Sequence, residues 1–171
     1  MSDYVASQRL WAPWRMDFIR APKEEGCFLC RIAGEGPEKD GENLVVSRGR
    51  ECLLLLNRYP YNGGHLMAAP LRHVASLGEL TEGERREMLE MAILGEKLLG
   101  AVAKPDGYNM GINQGAAGGA GLKDHLHFHV VPRWEGDTNF MPVLGSARVM
   151  PQALEEMRAA LAAALAGMGK G

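Results

Sequence analysis

Three of the chain's five histidines fall within five residues, His125-Leu126-His127-Phe128-His129. On an extended strand successive side chains alternate faces, so the three imidazoles share one face while Leu126, Phe128 and Val130 point to the other. Two residues of rise separate neighbouring histidines by about 6.7 Å, which sets His127 between two imidazoles. Neutral imidazole is a nucleophile, and its ordinary pKa near 6.5 leaves it largely deprotonated at neutral pH. The row is therefore read as chemistry by His125, His127 and His129, with neutral imidazole available as a nucleophile. Clustered neutral imidazoles are also common zinc ligands, and that second reading stays open.

Just upstream, Asn113-Gln114-Gly115-Ala116-Ala117-Gly118-Gly119-Ala120-Gly121 carries almost no side chains. Backbone N–H groups of such a segment can surround an anion, and Gly119, Ala120 and Gly121 lie nearest the histidines. The segment is neither GxGxxG nor a P-loop, and the same composition also serves a bare turn. Cys27-Phe28-Leu29-Cys30 has the spacing that lets two thiolates share a tetrahedral Zn²⁺, although two ligands are half a site. Cys52 stands alone in a Leu-rich run and reads as a small buried hydrophobe.

The elements that position these groups follow from periodicity. Asn43 to Ser47 and Glu51 to Asn57 read as a hairpin around Arg48-Gly49-Arg50, and His65 to Pro70 as a strand after Gly63-Gly64. Thr81 with Glu84 forms a capping box, and Met88, Met91, Ala92, Leu94, Leu98 and Leu99 repeat at helical spacing up to Val102. Tyr108 to Asn113 and His125 to Val131 read as strands, and Gln152 to Leu165 as a closing helix. Hairpin-type connections around one long helix predict an antiparallel α+β domain and disfavour a Rossmann arrangement.

Composition sets outer bounds. The 171 residues, 46% hydrophobic, suffice for one core. A net charge of -2 with both signs interspersed provides no basic field for a nucleic acid polymer. No apolar run approaches the roughly 20 residues that span a bilayer. The N-terminus lacks a basic segment followed by an apolar one, so a cytoplasmic protein is expected.

His125, His127 and His129 followed by apolar Val130 and Val131 resemble the signature of the histidine triad (HIT) superfamily, and the likeness extends over roughly residues 27–139. Asn57-Arg58-Tyr59-Pro60 with Gly64-His65-Leu66 resembles the strand-turn-strand in which the fragile-histidine-triad branch holds ribose and phosphate. Trp11 to Arg15 and His129 to Asn139 (HVVPRWEGDTN) are similar to the branch that cleaves dinucleoside polyphosphates. The resemblance implies an HIT-like α+β fold: an antiparallel sheet of about five strands, one long helix and a C-terminal helix. It implies one domain over 1–171, with an N-terminal extension at 1–26, a core at 27–139, a closing helix at 150–166, and a homodimer.

For the site, the resemblance implies that His127 attacks the α-phosphate to give a nucleotidyl-histidine, which water then releases. His129 and His65 donate to phosphate oxygens, Asn113 meets phosphate or the bridging oxygen, and Asn57 binds ribose hydroxyls. Asn57 could equally make a local bond in its Pro-containing turn, and His65 after Gly-Gly could lie at the surface. Cys27 and Cys30 join His73 and His125 around a structural zinc, which takes His125 out of acid–base work. Mg²⁺ stays open, since a polyphosphate substrate usually arrives with one.

One departure matters. The chain has Ala120-Gly121-Leu122-Lys123-Asp124 where many relatives place Gln or Ser before the first histidine. Phosphorylase members use a Ser in this loop to hold orthophosphate, so its absence tilts the expectation toward hydrolysis, with an Ap4A phosphorylase as the alternative. Lys123 could supply charge, or form a solvated pair with Asp124. A non-catalytic nucleotide-binding protein and a zinc hydrolase with the triad as ligands are the rival readings. Trp11, Trp14 and Trp134 are candidates for a base contact, a dimer interface or simple packing.

Overall fold

The computed structural model describes residues 26–137 and 153–168. The expectations for Trp11 to Arg15, for Asn139 and for the start of the closing helix lie outside these residues. Five strands, β1 (Val45–Arg48), β2 (Cys52–Leu56), β3 (Leu66–Pro70), β4 (Gly107–Ile112) and β5 (Phe128–Arg133), form one sheet in the order β1-β2-β3-β5-β4. All neighbouring strands run antiparallel, as the hairpin-type spacing predicts. The helices are α1 (Phe28–Gly34), α2 (Glu82–Val102) and α3 (Leu154–Met168).

The strand period sorts side chains onto two faces. Leu54, Leu56, Leu66, Ala68 and Val130 pack with Met88, Met91, Ala92, Leu98 and Leu99 of α2 and Met157 and Leu161 of α3. Val45, Leu53, Leu55, Met67 and Ala69 pack on the opposite face with Leu29 and Ile32 of α1. Every residue of β2 is buried because both faces of the sheet are covered there. The short helix α1, seven residues long, is too brief to show an apolar period in the sequence.

The long helix begins as its cap predicts. The Thr81 hydroxyl accepts from the Glu84 N–H, and the Glu84 carboxylate accepts from the Thr81 N–H at 2.8 Å. Glu84 also accepts from both Nε and Nη2 of Arg72. These partners satisfy a carboxylate that is almost wholly buried.

The fifth strand differs from the expectation. It starts at Phe128, so His125, Leu126 and His127 lie in the approach to the strand and only His129 lies within it. The break has a visible cause: the Leu126 N–H donates to the carbonyl of Val74, outside the sheet, and Leu126 drops into the α2-side core. Gly64, at φ +80°, makes the turn into β3, and a Cβ there would stand 2.8 Å from Leu99.

Candidate active site and metal centre

His127 is 6% exposed and donates through Nδ1 to the main-chain carbonyl of His125 at 2.9 Å. A carbonyl only accepts, so Nδ1 carries the proton and Nε2 keeps its lone pair. Burial pulls the His127 pKa below the ordinary histidine value, more than the bond to His125 raises it. The ring is neutral at pH 7, with a nucleophilic nitrogen. Its acceptor, invisible to the sequence, is the preceding histidine's own backbone.

The neighbouring tautomers follow in a chain. The Tyr61 N–H donates to His65 Nδ1 at 3.0 Å, so the His65 proton sits on Nε2. That Nε2 lies 2.9 Å from His129 Nδ1, which therefore accepts and leaves His129 with its proton on Nε2. The His129 ring stands edge-on to His127 with centroids 4.8 Å apart. His127 thus offers a lone pair beside a donor N–H.

His65 requires a correction. It has no exposure and both ring nitrogens are engaged, so it does not reach a phosphate; it fixes His129 instead. His125 also departs from the one-face row. Its ring turns to His73, centroids 5.2 Å apart, and its Nε2–H donates to the Pro70 carbonyl at 2.8 Å. Asn113 is half-buried, its carboxamide 3.4 Å from His129 Nε2 and 3.3 Å from Tyr61 Oη. Asn57 accepts from the Tyr59 N–H at 2.9 Å, the local turn bond weighed for it, and its amide lies 3.4 Å from His65 Nδ1.

The glycine loop is more closed than a phosphate nest. Gly119 and Ala120 turn their N–H groups inward, to the carbonyls of Ala116 and Gly115. The expected donation from these two amides is therefore not what the loop presents, while Gly121 stays exposed beside it. A Cβ on Gly118 would meet the Gln114 carbonyl oxygen at 2.3 Å, so the turn itself demands glycine there. On β4, Gly111 pairs with His129, and a Cβ at Gly111 would meet nothing within 4 Å. Lys123 and Asp124 are an exposed pair 4.0 Å apart. Cys52 is fully buried, its thiol pushed up to about 12 by burial. Trp134 is half-buried and donates to the Ala103 carbonyl, a packing role.

Cys27, Cys30, His73 and His125 do come together: one donor atom from each lies within 4.8 Å of the others. Sγ of Cys27 is 3.1 Å from His125 Nδ1, Sγ of Cys30 is 3.5 Å from that same nitrogen, and it is 3.1 Å from His73 Nδ1. Tetrahedral zinc bonds would set sulfur–nitrogen edges of about 3.6 Å, slightly wider than these. The Pro70 carbonyl holds the His125 proton on Nε2, so Nδ1 is free to ligate. Burial first, and the Cys27 thiol second, push the Cys30 thiol up; a cation between them would reverse that preference. This donor set could hold a metal ion. Among the described residues it is the one such group, and it contains only His125 of the triad, which disfavours the triad as a catalytic metal site.

Burial pushes His65 down to about 3 and His129 down to about 4. The unfolded chain binds these protons near pH 6.5, while the native state refuses them until pH 3 to 4. Stability therefore falls as pH drops from 6.5 toward 4, and above 6.5 this contribution is constant. Denaturant midpoints at pH 7.5 and 4.5 check it: the wild-type loss exceeds that of His129→Gln, and equal losses would contradict it.

The HIT domain family matches residues 38–136. AP-4-A phosphorylase of Mycobacterium tuberculosis is 40% identical over 161 residues, 91% of this chain and 83% of the relative. The HIT-like protein MJ0866 of Methanocaldococcus jannaschii is 34% identical over 115 residues, 65% of this chain and 81% of its own length. A zinc-bound histidine triad family protein from Mycobacterium smegmatis superposes with a TM-score of 0.66 at 25% identity, covering 84% of this chain and 96% of that one.

Proposed function

The chain belongs to the HIT domain family of nucleotide hydrolases and transferases, and from that premise we propose that it opens dinucleoside polyphosphates at an α-phosphate through a nucleotidyl-His127 intermediate. The observation that carries this reading is the protonation pattern at the triad: a lone pair on His127 Nε2 beside an N–H on His129 Nε2. Nε2 of His127 forms the bond to phosphorus as the bond from phosphorus to the leaving phosphate oxygen breaks. The His127 Nδ1–H, held by the His125 carbonyl, stabilises the charge the ring acquires.

His129 and Asn113 hydrogen-bond the phosphate oxygens, and Asn57 the ribose. His129, with a pKa near 4, is a neutral donor at pH 7 and has no imidazolium proton to give. Such a site suits a leaving group that departs as an anion without being protonated. A phosphoric anhydride meets that condition, and an amine or alkoxide does not. Mg²⁺ belongs to the polyphosphate in this reading.

Water and orthophosphate are the two acceptors. The loop without Ser favours water; the M. tuberculosis relative, named a phosphorylase and similar over most of both chains, favours orthophosphate. Turnover of Ap4A with and without orthophosphate separates them. AMP plus ATP irrespective of phosphate identifies the hydrolase; ADP plus ATP only with phosphate identifies the phosphorylase. No turnover, with nucleotide still bound, leaves the binding protein.

Cys27, Cys30, His73 and His125 would hold a structural Zn²⁺, a reading supported by the thiolate and imidazole donors and by the zinc-bound relative. Zinc there would tie α1 to the sheet. The homodimer and cytoplasmic setting belong to the same proposal. Edge strand β4, with Met110 exposed, and Leu89 and Ile93 exposed on α2 support a second copy docking there. No helix among the described residues is long and apolar enough to cross a membrane.

A further inference from the structure

Tyr61 carries no role in the sequence reading, yet it meets His65, His129 and Asn113. Its N–H reaches His65 Nδ1 at 3.0 Å, and its ring stacks on the His65 imidazole with centroids 4.8 Å apart and planes 28° apart. The same ring lies 5.6 Å from that of His129, and its hydroxyl lies 3.3 Å from the Asn113 carboxamide.

The proton chain decides which end of that carboxamide belongs there. His129 Nε2 carries a hydrogen, because its Nδ1 accepts from His65. The amide nitrogen of Asn113, 3.4 Å from His129 Nε2, would set donor against donor. A carboxamide turned by half a revolution has nearly the same shape, and it brings Oδ1 to the same place. There Oδ1 accepts from both His129 Nε2–H and Tyr61 Oη–H. The Asn113 NH₂ is then free for a ligand.

We propose that Tyr61 is the positioning residue of this site: its backbone fixes His129, through His65, as an Nε2–H donor, and its hydroxyl turns Asn113 so that the carboxamide oxygen holds that donor at rest and the NH₂ faces substrate. Hydrogen bonds then run from the Tyr61 main chain through two histidines and Asn113 back to the Tyr61 hydroxyl. The network fixes the tautomer of His129 and the direction of the Asn113 NH₂ before substrate arrives; the one step left on binding is transfer of the His129 Nε2–H from Oδ1 to a phosphate oxygen. This inference rests on the nucleotidyl-transfer reading for what the donors act upon, and on the free protein for how they are set.

The test uses the full chain in two arms. Nitrogen-proton correlation spectra of the free protein should show His65 and His129 protonated at Nε2 and His127 at Nδ1. Tyr61→Phe should keep those tautomers while shifting the Asn113 carboxamide signals. In turnover of Ap4A, Tyr61→Phe should lower kcat by about tenfold with KM within about twofold, a loss confined to the transition state.

Asn113→Ala should cost roughly 10²-fold, the effect of deleting one oxyanion donor. Tyr61→Phe added to Asn113→Ala should cost nothing more, because both act through one side chain. His129 protonated at Nδ1, unmoved Asn113 signals, or losses that multiply in the double variant would overturn the proposal. If the wild type turns over no nucleotide, the functional reading fails while the spectra still judge Tyr61.

Discussion

His127→Ala should lose at least about 10⁴-fold in kcat/KM on a dinucleoside polyphosphate, while binding a non-hydrolysable analogue within a few-fold of wild type. The size of the loss follows from how few lone pairs the site offers. His129 stands 4.8 Å from His127, centroid to centroid, but its Nδ1 lone pair is spent on His65 and its Nε2 carries a proton. His65 has both nitrogens engaged, and His125 points its Nε2–H at Pro70. No neighbour can take over the attack. Steady-state kinetics with analogue titration check this. A variant that keeps a tenth of the activity would place the nucleophile elsewhere.

Stripping the metal should lower the melting temperature by at least about 10 °C, because structural zinc contributes on the order of 10 kcal/mol or more and each kcal/mol is worth a few degrees at this size. Zinc held by the four donors would tie α1 and His73 to the approach to β5, and α1 brings Leu29 and Ile32 against Leu53, Leu55 and Met67. Released from the metal, that helix is held by its apolar contacts alone. Cys27→Ser should reproduce the loss. Activity should fall with stability, because His125 would supply a metal donor as well as the carbonyl that orients His127. Calorimetry beside metal analysis reads both. Purified protein with no bound metal and an unchanged melting temperature after chelation would contradict the account.

The sequence reading worked where a residue's local pattern decides its place. The Thr81 and Glu84 box, the apolar repeat of α2 and the runs of β2 and β3 are short-range signals, and each element stands within a few residues of its expected bounds. The metal donors were half legible in spacing, through the Cys27 and Cys30 pair; that His73 and His125 join it was legible only through resemblance, because both lie far off in the chain. Alternation misled at the triad. It treats His125 to Val131 as one strand, whereas the bond from Leu126 to Val74 breaks the ladder and turns His125 toward the cysteines. The burial of His65 and the role of Tyr61 depend on hydrogen bonds across the sheet, which no local period encodes. Composition alone could not show that the Gly119 and Ala120 amides close on their own loop.

The central claim is a covalent bond between His127 and a nucleotide, and the direct measurement is peptide mass mapping of protein mixed with Ap4A and quenched within the first turnover. The account predicts one nucleotidyl group, on His127, absent from His127→Ala and formed as fast as product appears. Product formation with no adduct, or an adduct on any other residue, would contradict it.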